Sequence, residues 1–116
     1  DDERTLRAIS PDFAQLANID CRGVIVTARS DDHEFDFVSR FFAPAAGINE
    51  DSVTGSAHCT LAEFWRGRLH KSQFQAFQAS RRGGVIRVQI IGRRVTLGGA
   101  AVLISEGALA GGLVAN

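Results

Sequence analysis

Residues 56–66 have the sequence SAHCTLAEFWR, an apolar segment that predicts a helix. Apolar side chains would lie around most of its circumference, and they are Ala57, Cys59, Leu61, Ala62, Phe64 and Trp65. A helix that is apolar on nearly all sides is usually buried inside a domain. Gly67 follows and is expected to end it. We therefore predict a central helix, with Leu61 and Phe64 among its least exposed residues.

The residues at the start of this helix predict an anion-binding site. Ser56 or Thr54 can cap the helix, and Gly55 allows a ligand to approach the backbone. The first amides of a helix have no acceptors within it, so a bound carboxylate or phosphate can accept their hydrogen bonds. We expect the amides of Gly55, Ser56 and Ala57 to hold such an anion.

Strand patterns flank the helix on both sides. Residues 23–28 and 34–42 precede it and are rich in β-branched or aromatic residues, after a helix start in which Ser10 would be the cap. Short strands joined by glycine turns follow it, at residues 74–79, 85–91, 94–97 and 101–104. Such strands favour an antiparallel meander, and a single apolar helix needs other elements around it. The predicted fold class is α+β, with a curved, mostly antiparallel, barrel-like sheet wrapped around one central helix.

The composition limits the classes of function. The chain has 116 residues, of which 45% are hydrophobic, and we expect a single domain over residues 1–116. Thirteen basic residues balance thirteen acidic ones, so no net field would attract nucleic acid or an anionic membrane. No apolar run reaches the roughly 20 residues of a membrane span, and a soluble, cytoplasmic protein is expected. Because the chain has no Met and opens with two aspartates, we also expect a piece of a longer protein.

The cysteines and histidines do not predict a metal site. Cys21 and Cys59 are not spaced like zinc ligands and are expected to be buried, small apolar residues. His33 and His70 have no partners at ligand spacing.

Two adjacent carboxylates, Glu50 and Asp51, precede the predicted helix. Adjacent side chains of an extended loop point to opposite sides, so only one of the two is expected to face a ligand. Local sequence leaves two roles open for Asp51 and Ser56, because both residue types cap helices and both could act on a substrate. His58 could bind substrate, or pack and donate one hydrogen bond. The two arginines at residues 81–82 could hold a second anionic group or lie in solvent.

A set of motifs spread along the chain is more specific than any of these local patterns. The motifs are residues 40–44 (RFFAP), Ile48, Glu50-Asp51, residues 53–58 (VTGSAH), residues 78–84 (QASRRGG) and residues 95–99 (VTLGG). Together they resemble the second half of the PhzF-like phenazine-biosynthesis proteins, over nearly the whole chain. Ser52 stands where the family usually has a proline, a change that removes no functional side chain.

The resemblance implies one half of a diaminopimelate-epimerase-like fold. In that fold two similar halves each wrap a barrel-like sheet round a helix, and the active site lies between them. Family members resembling this chain are isomerases or epimerases that move a proton on small carboxylated, often amino-acid-like molecules, without a cofactor. Their main acid/base is a glutamate of the first half, which this chain does not contain.

The resemblance also favours a role in catalysis over helix capping for Asp51 and Ser56. Asp51 and Ser56 match residues that contact substrate, so Asp51 is the expected catalytic residue. The expected substrate-binding residues are Gly55, Ser56, Ala57 and His58. The expected partners are a small carboxylated substrate and either the first half of the same protein or a second copy of this chain. Two alternatives remain open: a noncatalytic module that binds small carboxylates, and an assembly domain without a ligand.

Overall fold

The computed structural model describes residues 2–99, which form short helices, one long helix and a mixed sheet. The helices are α1 (Glu3–Ala8), α2 (Phe13–Ala17) and α3 (Gly55–Leu69), and a 3₁₀ turn spans Pro44–Ala46. The strands are β1 (Val24–Arg29), β2 (Phe37–Ala43), β3 (Ile48–Glu50), β4 (Gln73–Gln78), β5 (Gly84–Ile91) and β6 (Arg94–Gly99).

The sheet has the strand order β1-β2-β4-β5-β6, and β3 pairs with the end of β2. All neighbours are antiparallel except β2 and β4, which run parallel because α3 crosses over between them. The predicted α+β class with a mostly antiparallel sheet is confirmed. Within residues 2–99, β1 and β6 end the main path of strands and do not pair with each other, so this sheet is open rather than a closed barrel.

Both faces of the sheet carry a helix. On one face α3 packs on a cluster of buried residues, which contains Phe37, Leu61, Ala62, Trp65, Phe74, Ala76, Ile86, Val88 and Ile90. On the other face Leu6 of α1 packs against Ala28 and Val38. Because β2 lies beneath both helices, it is buried at every position.

The helix α3 is longer and less enclosed than the sequence predicts. Gly67 lies inside it, and the helix ends at Leu69, where His70 takes a left-handed conformation with φ 53° and its N–H donates to the Arg66 carbonyl. Leu61 is 2% exposed, as expected, but Phe64 is 40% exposed. The prediction for Phe64 is wrong because the open sheet covers one side of α3 and leaves the other without a partner among the described residues.

Several local predictions also need correction. The second strand begins at Phe37 rather than residue 34, since the Phe35 N–H donates to the Asp32 carbonyl in a turn. Asp12 rather than Ser10 caps α2, because its carboxylate accepts from the Gln15 N–H at 3.1 Å. The sequence analysis did not predict α1 or β3. The predicted strand at residues 101–104 lies outside the described residues.

Both cysteines are exposed, contrary to prediction. Cys21 lies in the irregular segment before β1, and Cys59 lies on the uncovered side of α3. A small apolar residue is buried only where another element covers its position, and none of the described elements covers these two.

Candidate functional site

The loop that joins β3 to α3 places Asp51 beside the helix start. The Asp51 N–H donates to the Phe41 carbonyl at 3.0 Å, which fixes the backbone of the loop to β2. Thr54 occupies the N-cap position, but its hydroxyl group donates to Asp51 Oδ2 at 2.8 Å instead of capping the helix. Ser56 lies inside the first turn of α3. The predicted side-chain cap by Ser56 or Thr54 is therefore absent from the described structure.

This arrangement leaves the first turn of α3 available to an anion. No acceptor for the amides of Gly55, Ser56 and Ala57 occurs within residues 2–99. Unpaired amides and the positive end of the helix dipole together favour negative charge. The amides that the sequence analysis selected thus lie directly after Thr54, whose hydroxyl group is hydrogen-bonded to the Asp51 carboxylate.

The other acidic residue, Glu50, has a structural partner. Its carboxylate forms a bidentate salt bridge with the Arg40 guanidinium, at 3.0 Å from Nε and 2.9 Å from Nη2. Arg40 is only 9% exposed, and its Nη1 donates to the carbonyl groups of Leu6 and Ile9. Paired, hydrogen-bonded ions of this kind are costly to separate. Asp51 is thus the carboxylate of the pair that is not held in an ion pair within the described structure.

His58 lies in the core rather than at the surface. Its ring is 0% exposed and stacks on Phe37, with ring centroids 6.1 Å apart. Nδ1 lies 2.7 Å from the Thr54 carbonyl oxygen, and because a carbonyl only accepts, Nδ1 carries the proton. Nε2 is buried without a partner in the described part of the chain. Burial lowers the pKa of His58 below its ordinary value, against a smaller opposing effect of the Thr54 hydrogen bond. This geometry matches the packing alternative, and contact with substrate stays a prediction.

The structure adds a cation that the sequence analysis missed. Arg22 Nη2 donates to Ser56 Oγ at 2.5 Å, across 34 positions of sequence. The two residues border a cleft of about 190 Å³ that is also lined by Ile25, Phe41, Ala57 and Thr60. Arg22 precedes β1 and has no local motif, so only the tertiary fold brings it to the helix start. By contrast, the arginines at residues 81–82 are exposed on the turn after β4.

A larger groove on the sheet does not coincide with this site. It has a volume of about 510 Å³ and is lined by Asp36, Lys71, Gln75, Arg87, Gln89 and Thr96, among others. None of the residues of the β3–α3 loop or the helix start lines it. Its size alone therefore does not identify it as the site of chemistry.

Among residues 2–99, no group of three or more His, Cys, Asp or Glu side chains is arranged to hold a metal ion. No helix in the same part of the chain has the length and hydropathy needed to cross a bilayer.

Comparisons with known proteins agree on one family. A family model described as phenazine biosynthesis-like protein, PhzC-PhzF, matches residues 1–107. An uncharacterized isomerase of Halalkalibacterium halodurans is 49% identical over 104 residues, which are 90% of this chain and 39% of the relative. An uncharacterized isomerase of Pseudomonas aeruginosa is 50% identical over 109 residues, or 94% of this chain and 41% of the relative.

A solved structure shows the same fold. The crystal structure of a PhzF-family phenazine biosynthesis protein from Enterococcus faecalis superposes with a TM-score of 0.83 at 45% identity. The match covers 90% of this chain and 40% of that chain. This chain thus spans about two fifths of the length of the relatives that it matches.

Proposed function

The chain belongs to the phenazine biosynthesis-like protein family, and we propose that it is one half of a cofactor-independent isomerase. Its substrate would be a small carboxylated, amino-acid-like molecule. The observation that carries the proposal is the position of the Asp51 carboxylate beside the uncapped start of α3. Relatives named isomerases supply the reaction class.

The proposed chemistry suits these groups. Removing a proton from a carbon next to a carboxylate builds negative charge on the substrate, and preorganised donors stabilise such charge. The amides of the α3 start and the Arg22 guanidinium provide these donors on one side. Asp51 would orient or relay the proton, and the base that accepts it from carbon would be the glutamate expected in a first half. The proton returns at a different position or face, so the reaction needs no other reactant.

The proposal includes a partner. An acid/base carried elsewhere requires that the face with Asp51 and Ser56 meet a second body, either the first half of the same protein or a second copy of this chain. A two-fold homodimer is the simplest closed arrangement for a lone half, because one surface then serves both subunits.

Titration of backbone amide NMR shifts with sodium acetate, at constant ionic strength set with chloride, tests the anion site. We expect the largest shifts at Gly55, Ser56 and Ala57, because their N–H groups are the donors. Arg22→Gln should weaken acetate binding, since it removes the neighbouring cation, whereas the matched change Arg81→Gln should leave it unchanged. Largest shifts around residues 81–82 would contradict the assignment.

A further inference from the structure

We propose that Gln78 is a positioning residue that orients the Asp51 carboxylate through the Thr54 hydroxyl group. The inference rests on the proposed function, in which Asp51 handles the substrate proton. Gln78 lies at the end of β4, 27 positions from Asp51, and is the first residue of the 78–84 motif, where the sequence analysis assigned it no role of its own.

The side-chain amide of Gln78 can take only one of its two flip orientations. The side chain is 0% exposed. Its Oε1 accepts from the Thr54 N–H at 2.7 Å, and its Nε2 donates to the Asp51 carbonyl at 2.9 Å. Because a backbone N–H only donates and a carbonyl only accepts, a flipped amide would lose both bonds. The second Nε2 proton points to Thr54 Oγ1 at 3.0 Å.

This orientation fixes the direction of the Thr54 hydroxyl group. Since Thr54 Oγ1 accepts from Gln78, its single proton is free for Asp51 Oδ2, which lies 2.8 Å away. The direction of donation runs from Gln78 to Thr54 to Asp51. A buried group that makes all its hydrogen bonds cannot rotate without losing some of them. This series of hydrogen bonds therefore holds Asp51 Oδ2 in place.

Other residues of the 78–84 motif contact the β3–α3 loop at residues 52–53. Ser80 Oγ donates to the Ser52 carbonyl at 2.9 Å and accepts from the Gly83 N–H at 3.0 Å. At Gly84 a Cβ atom would come within 2.3 Å of Val53 Cγ2, so a larger residue would displace the Val53 side chain of this loop. The segment therefore sets both the backbone of the loop and the direction of its carboxylate.

The test uses this chain together with a first half, as the proposed function requires, and compares two variants. Thr54→Val removes the hydroxyl group at nearly constant volume, and Thr54→Ser keeps it. The rate is solvent deuterium incorporation into whichever common amino acid exchanges fastest. We expect Thr54→Val to lower kcat about tenfold to a hundredfold, the range for a displaced catalytic group, with KM changed less than about twofold. Thr54→Ser should restore most of the rate.

A second variant tests Gln78 itself. Gln78→Glu keeps an oxygen that accepts from the Thr54 N–H but replaces the Nε2 donor with a second acceptor oxygen. The hydroxyl proton of Thr54 would then be donated to residue 78 instead of Asp51. We expect the kcat loss of Thr54→Val, while Gln73→Glu, on the exposed face of the same strand, leaves the rate unchanged. If the buried carboxylate prevents folding, the Thr54 pair still decides the question.

Two further measurements separate positioning from general structural damage. In an Asp51→Asn background, Thr54→Val should add less than about a twofold loss, because residues that act as a unit are not additive. A full additional loss in that background would overturn the inference. The Asp51 ¹³Cγ resonance at pH 7 should move in Thr54→Val and Gln78→Glu but not in Gln73→Glu. An unmoved resonance would also overturn it, even if Asp51→Asn exchanges deuterium at the parent rate and the proposed function fails.

Discussion

At the residue scale, the hydrogen bonds of the site converge on Thr54. Its N–H donates to Gln78, its hydroxyl group donates to Asp51, and its carbonyl oxygen accepts from His58 Nδ1. Every polar group of this buried residue thus has a partner on a different element. Thr54 therefore links the loop, β4 and the first turn of α3.

The buried His58 ring predicts a pH-dependent stability. The unfolded chain protonates His58 near the ordinary pKa of 6.5, whereas burial lowers the pKa in the folded chain. Below pH 6.5 the unfolded state binds a proton that the folded state does not, so the free energy of unfolding falls as the pH falls through this value. The expected slope is at most about 1.4 kcal/mol per pH unit.

Chemical denaturation at several pH values between 7.5 and 5.5 measures this dependence. His58→Gln should flatten the profile over this range, because the titrating group is gone. His33→Gln, which changes an exposed histidine, should keep the slope of the parent. A slope that survives in His58→Gln would assign the dependence to another group.

At the element scale, α3 shows which part of a helix its own sequence determines. The apolar run predicts its existence and the burial of Leu61, but the apolar side chain of Phe64 projects where the open sheet does not cover it. Gly67 does not end the helix, since an interior glycine costs only about 1 kcal/mol relative to alanine. His70 ends it in a left-handed conformation that is uncommon for residues other than glycine.

Paired truncations test this difference in burial. Leu61→Ala should lower the free energy of unfolding by about 2 to 5 kcal/mol, the range for core leucines. Phe64→Ala should cost clearly less in the same protein, because 40% of this residue is already exposed. Urea denaturation of both variants gives the comparison. Equal losses would show that another body covers Phe64 in solution.

Sequence separation explains what could and could not be predicted. The β4–β5–β6 meander follows from glycine turns between adjacent strands, and the helix-start amides follow from the local TGS sequence. The parallel pairing of Ser39 with Gln78 has no local signal, because α3 lies between the two strands. That pairing brings Gln78 to the loop, and the position of Arg22 likewise depends on the tertiary fold.

At the scale of the whole molecule, the described chain has open sheet edges and a partly uncovered helix. The edges include β1 and β6, and α3 leaves Phe64 and Cys59 exposed. Unpaired edges and exposed apolar side chains favour association with another surface. The relatives are more than twice as long as the matched region, and a partner in the same polypeptide stays part of the proposal.

The last prediction concerns the isolated 116-residue chain. Without a first half it lacks the expected glutamate, so it should incorporate no solvent deuterium into the common amino acids, and mixing it with a first half should start the exchange. Alone, it should sediment as a dimer through the face that carries Asp51 and Ser56. Asp51→Arg should shift the dimer towards monomer, because the two-fold axis brings the added charges together, whereas the same charge change at the exposed Asp31 should not. A strictly monomeric parent chain would contradict the interface. Exchange that depends on Asp51 in the isolated chain would instead show that this half carries the complete acid/base chemistry.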